Sequence, residues 1–331
     1  MIVRAAHSLR GRLGVGIAMS ALAVGALAPA AVAAGPIGWQ AAAGVSSADQ
    51  AVQVNAFLPR DLTVNEGDSI TWHLNSGEFH TVTFLSGAAA PPFIVGGPGG
   101  PNLNPAAVVP SGGPSYDGSG IANSGLLTLG TSYTLGFTKT GTYRFLCLVH
   151  AGMQGTVHVQ PAASAYPSTQ AQYDIAARAT GNRLLAAGRA LTGRTVGATH
   201  ASGRTQATLG TGAGLGDYGS LAIMRFLPSE IVIHAGGTVE WTNRDPETPH
   251  TVTFGDEPAG GPFGAFAPSG AAVPGHATLD RPDQDANSGF VGAGLPFGTT
   301  FSATFTTAGT YHFICVLHDD VGMTGTVVVL P

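Results

Sequence analysis

One stretch of sequence occurs twice in this chain, as GTYRFLCLVHAGM at residues 141–153 and as GTYHFICVLHDDVGM at residues 309–323. Each copy begins with residues typical of a β-strand, which we expect to end at the cysteine. A tight loop follows, which holds a histidine and ends at a methionine. The stretch therefore predicts a strand followed by a loop that gathers soft metal-binding side chains.

The repetition extends outward from this stretch over most of the chain. The segment His80-Thr-Val-Thr-Phe84 returns unchanged at residues 250–254, and Trp72 returns as Trp241. These matches are separated by 168 to 170 residues throughout. The chain therefore holds two copies of one domain, and each copy is large enough to bury a core without disulfides.

Both copies have the sequence pattern of an all-β fold. Apolar residues alternate with polar ones, as at Leu62 and Val64, and turn signals such as Glu66-Gly67-Asp68 separate the segments. A period of two residues indicates strands with one buried face, and many short strands of this kind favour an antiparallel sandwich. We predict two tandem β-sandwiches, the first at residues 50–160 and the second at residues 214–331.

The segment between the copies, residues 161–213, is predicted to be a linker with a helix over Ser168 to Leu191. Gly181 and Gly188 weaken this helix because glycine has a low helix propensity. The linker has five arginines and one acid whereas the second copy is acidic, so we expect the helix to pack against the second copy. Five residues fall near one face of the helix: Tyr173, Ala177, Leu184, Ala187 and Leu191.

Residues 1–34 have the composition of a secretory signal peptide. Three arginines and no acid precede an apolar stretch from Leu13 to about Ala28, and small residues follow. A retained membrane anchor is the alternative, because the stretch is almost long enough to span a bilayer. We predict an exported protein, periplasmic, in the cell envelope or extracellular, with no membrane span in the mature chain.

The charge composition excludes a nucleic-acid-binding protein built on a basic surface. Charged residues make up 10% of the chain, and its formal net charge is -5. Without residues 1–34 the chain keeps 11 basic and 19 acidic residues, so a docking partner is expected to be basic.

Each copy holds one cysteine, two histidines and one methionine at matching places. A thiolate, two imidazoles and a distant thioether make the trigonal site with a weak axial ligand that binds copper for electron transfer. The four side chains converge only if each copy folds as a sandwich. The two sets are His80, Cys147, His150 and Met153 in the first copy and His250, Cys315, His318 and Met323 in the second.

These motifs resemble those of the blue copper proteins, or cupredoxins, of the plastocyanin, pseudoazurin and amicyanin type. In that family the pattern glycine, threonine, tyrosine, x, phenylalanine, x, cysteine precedes the ligand loop, as it does before Cys147 and Cys315. The resemblance implies a Greek-key β-sandwich for each copy and assigns each set of four residues to one type 1 copper. Thr81 and Thr251 stand where the family often has asparagine, a change that would tune the potential without removing copper.

The resemblance also implies the function, which is electron transfer by copper that cycles between Cu(I) and Cu(II). Such a protein carries electrons and transforms no substrate, so we predict that the chain is not an enzyme. Electrons would pass through the exposed edge of the later histidine, His150 or His318, where an unidentified redox partner protein docks.

Three other interpretations remain open at this point. Cys147 and Cys315 could form a disulfide in an exported protein. The chain could be a copper oxidoreductase of the nitrite reductase or multicopper oxidase type, although those families commonly have a histidine directly before the thiolate ligand, where this chain has Leu146 and Ile314. It could also sequester or deliver copper in the cell envelope, a role that favours exposed methionine-rich stretches.

Overall fold

The computed structural model describes residues 35–97, 100–150, 152–195, 199–201, 204–256, 273, 275–295 and 298–331. The predicted signal peptide, residues 1–34, lies outside the described residues. Within the described ranges no helix is long and apolar enough to cross a membrane.

The first copy is a sandwich of two β-sheets. Its elements are β1 (Gly38–Ser46), β2 (Val52–Leu58), β3 (Asp61–Asn65), β4 (Ser69–Leu74), β5 (Thr83–Phe84), β6 (Ile94–Gly97), β7 (Gly100–Leu103), α1 (Pro105–Val108), β8 (Ser115–Tyr116), β9 (Ala122–Asn123), β10 (Ser132–Phe137), β11 (Gly141–Leu146) and β12 (Gln154–Gln160). One sheet has the order β3-β12-β11-β5-β9, and the other contains β2-β1-β4-β10-β8.

The second copy repeats this architecture after the linker helix. The remaining elements are α2 (Gln170–Thr195), β13 (Thr199–Ala201), β14 (Arg204–Gly214), β15 (Ser220–Leu227), β16 (Glu230–His234), β17 (Thr238–Arg244), β18 (Thr253–Phe254), β19 (His276–Leu279), β20 (Ala286–Asn287), β21 (Thr300–Phe305), β22 (Gly309–Ile314) and β23 (Thr324–Leu330). The sheet β16-β23-β22-β18-β20 mirrors the one in the first copy. The predicted pair of β-sandwiches is thereby confirmed.

Each sandwich has one strand on its N-terminal side that the repeat did not reveal. The strand β1 ends before residue 50, and β14 begins ten residues before residue 214 and ends at it. The strand β1 is inserted between β2 and β4, antiparallel to β2 and parallel to β4. Strands β3 and β12 are also parallel. The sheets are therefore mixed: most pairs are antiparallel, as the sequence pattern favours, and these two are parallel.

The two copies share one continuous sheet, because β2 of the first pairs antiparallel with β15 of the second. This pairing places Gln53 opposite Ala222, which is the counterpart of Gln53 in the second copy. An interface in which the same surface of two equivalent halves meets itself has a local twofold axis. Here that axis passes through the Gln53–Ala222 pair, and the shared sheet has eleven strands within the described part of the chain.

An aromatic cluster around one tryptophan fills each sandwich. Trp72 packs edge-on against Phe145 with 5.2 Å between ring centroids, and Trp241 packs against Phe313 at the same 5.2 Å. All four side chains are buried. Since each phenylalanine lies two residues before a cysteine, the packing of the core fixes the end of the strand that carries the thiol.

The helix α2 lies across the junction of the two copies, and not on the second copy alone. Its buried Leu184 belongs to one apolar cluster with residues of both β2 and β15. Leu184 is buried as predicted, but Ala187 is exposed, and Gly181 and Gly188 lie on the buried side of the helix. The two glycines therefore permit a close approach of the helix to the sheet. Their low helix propensity alone did not indicate this packing role.

Gly188→Ala should destabilise the protein by about 1–3 kcal/mol through overpacking. A Cβ at Gly188 would overlap the side chain of Val52, which is buried in β2. Gly181→Ala is the matched control, because a Cβ there meets Leu58 and Val45 at 3.5 Å, an ordinary contact. The control should gain about 1 kcal/mol of helix propensity. Denaturant unfolding measures the change in the free energy of unfolding for both variants. Changes of the same sign would contradict the close packing of Gly188 against Val52.

Candidate metal centres

In each copy the predicted ligands lie in the segments that join the strands of one sheet. Cys147 follows β11 directly, Met153 directly precedes β12, and His80 lies just before β5. The second copy repeats this arrangement around β18, β22 and β23 with His250, Cys315, His318 and Met323.

Each site brings three buried donor atoms together. In the first site, Sγ of Cys147 lies 3.7 Å from Nδ1 of His80 and 3.8 Å from Nδ1 of His150, and the two nitrogens are 3.2 Å apart. In the second site, Sγ of Cys315 is 3.7 Å from Nδ1 of His250 and 3.3 Å from Nδ1 of His318. Those two nitrogens are 3.1 Å apart.

These triangles fit a trigonal first-row metal ion. An ion about 2.0 Å from each nitrogen and about 2.3 Å from a thiolate sulfur would set the nitrogens roughly 3.5 Å apart and the sulfur roughly 3.7 Å from each nitrogen. The observed edges are close to these values or slightly shorter. A thiolate with two imidazoles is the donor set of a blue copper site. The residues therefore fit type 1 copper, one ion in each copy.

The two methionines close the ligand loops through their backbones. The N–H of Cys147 donates to the carbonyl of Met153 at 2.9 Å, and the N–H of Cys315 donates to that of Met323 at 3.1 Å. Both methionine side chains are fully buried, in the same core clusters as the cysteines. A buried thioether near each triangle is what a weak axial ligand requires. That axial role stays a prediction.

Both cysteines are free, so the disulfide interpretation is wrong. Burial raises the pKa of the Cys315 thiol, but the charge of His318 and hydrogen bonds from both imidazoles outweigh burial and lower the pKa to about 5. The same balance lowers the pKa of the Cys147 thiol well below its ordinary value. Both shifts favour the thiolate, which is the form that binds metal.

Backbone N–H groups point at the two sulfurs in unequal number. Thr81 and Val149 both donate to Sγ of Cys147, each at 3.4 Å. Among the described residues, Thr251 alone donates a backbone N–H to Sγ of Cys315, at 3.3 Å. Hydrogen bonds to a ligating sulfur withdraw electron density from it and so favour the reduced metal. A copper ion bound at the first site would therefore be favoured in its reduced state more than one at the second site.

The threonines that replace the family's asparagine hold the ligand segments together. The Oγ1 of Thr81 accepts from the N–H of Leu148 at 2.8 Å, and the Oγ1 of Thr251 accepts from the N–H of Val316 at 3.0 Å. Each bond ties the segment of the early histidine to the residue that follows the cysteine. These bonds hold the ligand-bearing segments of each site next to each other.

The later histidines are buried, contrary to the exposed edge that the resemblance implied. His150 is 2% exposed and His318 is 5% exposed. The reason is that the ligand loops pack against the opposite copy. A Cβ at Gly77, beside the first site, would meet the Val321 side chain of the second ligand loop at 2.6 Å.

One residue that the sequence pattern did not single out, Glu78, contacts both sites. Its Oε2 lies 3.5 Å from Nε2 of His150, and its Oε1 lies 3.0 Å from Nε2 of His318. Burial raises the pKa of Glu78, but the charge of His318 and the contact with His150 outweigh burial and hold the pKa well below its usual range. The available signal was its place in the repeat, because Glu247 lies six residues after Trp241, as Glu78 lies six residues after Trp72.

Two sandwiches, each with a buried thiolate and two imidazoles, define a protein of the blue copper class with two tandem domains. The family described as copper binding proteins, plastocyanin/azurin family, matches residues 45–160 and 216–330, which together are most of the chain. The chain belongs to this family, and copper is its cofactor.

Individual relatives match less than half of the chain. The plastocyanin of Scenedesmus fuscus is 35% identical over 104 residues, which are 31% of this chain and 85% of that protein. The plastocyanin of Ginkgo biloba is 34% identical over 109 residues, 31% of this chain and 87% of that protein. The oxidized form of plastocyanin from Dryopteris crassirhizoma has a TM-score of 0.23 at 25% identity and covers 38% of this chain and 98% of that chain.

Proposed function

We propose that the chain is an exported electron carrier with one type 1 copper site in each copy. The observation that carries this proposal is the pair of buried triangles at matching positions of the two sandwiches. Bound copper would supply a one-electron Cu(I)/Cu(II) couple. The residues that would hold it are His80, Cys147, His150 and Met153 in the first copy and His250, Cys315, His318 and Met323 in the second.

The protein's own residues suit a site that keeps its shape during electron transfer. The cysteine and methionine ends of each loop are tied by backbone hydrogen bonds, and the threonine beside the early histidine ties that segment to the same loop. All the donor atoms lie in a core that excludes water. Donors fixed in advance need little rearrangement when the charge of the site changes, and this favours rapid transfer.

An electron carrier is supported more strongly than an enzyme. Leu146 and Ile314 occupy the places directly before the thiolates, where copper nitrite reductases and multicopper oxidases commonly have histidine. Within the described ranges, the residues grouped to hold a metal are the two triangles alone. We therefore propose no catalytic residue.

The partner would be a redox protein that docks away from the two later histidines. Since His150 and His318 are buried between the copies, electrons must enter and leave through another surface. Residues 1–34 support export to the periplasm, the cell envelope or the extracellular space.

Redox cycling with a chelator present should leave the copper in place. The copper-loaded protein is reduced with ascorbate and reoxidised with ferricyanide over several cycles, with a strong Cu(I) chelator in the buffer. We expect the visible band to return to full height each time and the chelator to stay free of copper, because the donors are buried and fixed. Protein unfolded in guanidinium is the positive control for release. Copper transfer to the chelator on reduction would instead favour sequestration or delivery.

A further inference from the structure

The two candidate sites face each other across the interface between the copies. Gly77 of the first copy lies so close to the Val321 side chain of the second copy that there is no room for a Cβ at residue 77. On the other side of the interface, a Cβ at Gly152 in the first ligand loop would meet the carbonyl oxygen of Gly216 at 2.8 Å. The ligand-bearing end of each sandwich is therefore covered by the other copy.

A single carboxylate lies where the two sites meet. Glu78 contacts Nε2 of His150 and Nε2 of His318, two atoms that are equivalent under the local twofold axis. Its counterpart Glu247 forms no ion pair with either histidine in the described part of the chain, and its Oε2 is buried without a hydrogen-bond partner. The two glutamates therefore differ in their contacts, and Glu78 is the one that lies against both sites.

The charge of Glu78 has no lysine or arginine partner among the described residues. Glu78 is 5% exposed, and its ion pairs in that part of the chain are the two with the imidazoles. A buried carboxylate is costly unless it is paired and hydrogen-bonded. The two imidazoles are the groups that offset the cost of burying the Glu78 carboxylate.

We propose that Glu78 joins the two copper sites into a coupled pair, by linking the Nε2–H groups of His150 and His318 into one route for electron transfer within the chain. The proposal rests on the proposed function, because it requires copper at both triangles. An imidazole whose Nδ1 faces the metal keeps its remaining proton on Nε2, and the oxygens of Glu78 lie 3.5 Å from Nε2 of His150 and 3.0 Å from Nε2 of His318. The largest gap between the two rings along this route is 3.5 Å.

The transfer moves one electron and no proton. The reduced second site loses one electron, the oxidised first site gains it, and no bond forms or breaks. The extra N–H that Val149 donates to Cys147 favours the reduced state at the first site. The electron is therefore expected to settle in the first copy. Glu78 acts in this as a positioning residue.

The test compares Glu78→Ala with its matched control, Glu247→Ala, in the copper-loaded full chain. A short pulse of reductant reduces a fraction of the sites, and the spectra of Cys147→Ser and Cys315→Ser distinguish the two sites. A phase whose rate is independent of protein concentration reports transfer between the copies. We expect this phase at the same rate in the wild type and in Glu247→Ala, and at least tenfold slower in Glu78→Ala.

A second readout needs no kinetics. In the fully reduced, diamagnetic protein, NMR should show the Nε2–H protons of His150 and His318 as downfield, slowly exchanging resonances. Both should move upfield in Glu78→Gln, which also serves if the alanine variant does not fold. Neither should move in Glu247→Ala.

The outcomes separate this proposal from the proposed function. Three outcomes would overturn the role of Glu78 while the wild type still shows its blue sites. They are an unchanged transfer rate in Glu78→Ala, the absence of any transfer phase in the wild type, and Nε2–H resonances that do not move in Glu78→Gln. A wild type without blue sites would overturn the proposed function itself.

Discussion

Cys147→Ser is expected to abolish one of the two blue sites and leave the other intact, and Cys315→Ser should do the same for the other site. The intense visible band of such a site arises from charge transfer between thiolate and copper, and a serine hydroxyl does not provide a thiolate. Each variant should therefore lose about half of the band, and the double variant should be colourless.

The control for these variants is Met224→Leu, which changes a fully buried side chain outside both triangles. Its band should equal that of the wild type. If one cysteine variant lost the whole band and the other none of it, one copy would be a purely structural domain. A band that survives in the double variant would mean that neither thiolate binds the copper.

Gly219→Ala is expected to cause the largest loss of stability, because it breaks the sheet that the two copies share. Gly219 has a φ of +119°, which L residues rarely adopt, and a Cβ there would overlap the carbonyl oxygen of Asn55. That carbonyl belongs to β2, and Asn55 lies opposite Ser220 in the pairing of β2 with β15. We expect a loss of more than about 3 kcal/mol, as for substitutions that combine a steric overlap with backbone strain.

The matched control is Gly216→Ala in the same hairpin. Gly216 also has a positive φ, of +63°, but nothing lies within 4 Å of a Cβ built there. The control therefore carries backbone strain without overlap. Denaturant unfolding should show a single transition in the control and either two separate transitions or a much lower midpoint in Gly219→Ala. Equal unfolding curves would contradict the close contact between the copies.

The candidate sites could be predicted from the sequence because they use rare residue types and occur twice. Both cysteines of the chain, Cys147 and Cys315, lie in repeated segments, each followed three residues later by a histidine and then by a methionine. A chance pattern would not repeat in this way. The metal and the fold then followed from the donor set and from the alternation of apolar residues.

The interface could not be predicted, because a repeat compares the copies and says nothing about how they meet. The pairing of β2 with β15 depends on two strand edges that look alike in the sequence. The strand β1 was missed for a different reason: apart from Trp39 and Gln40 its residues GWQAAAGVS are small, so the alternation of large apolar and polar residues is weak. The burial of His150 and the role of Glu78 both depend on this interface, so neither had a signal within one copy.

The most direct test of the central claim is to count the copper in the purified wild-type chain and to record its visible and electron paramagnetic resonance spectra in the oxidised state. We predict two copper ions per chain, an intense visible band, and resonance signals with the narrow hyperfine splitting of type 1 copper for both ions. One ion per chain, or two ions of which either gives a type 2 signal without a visible band, would contradict the account.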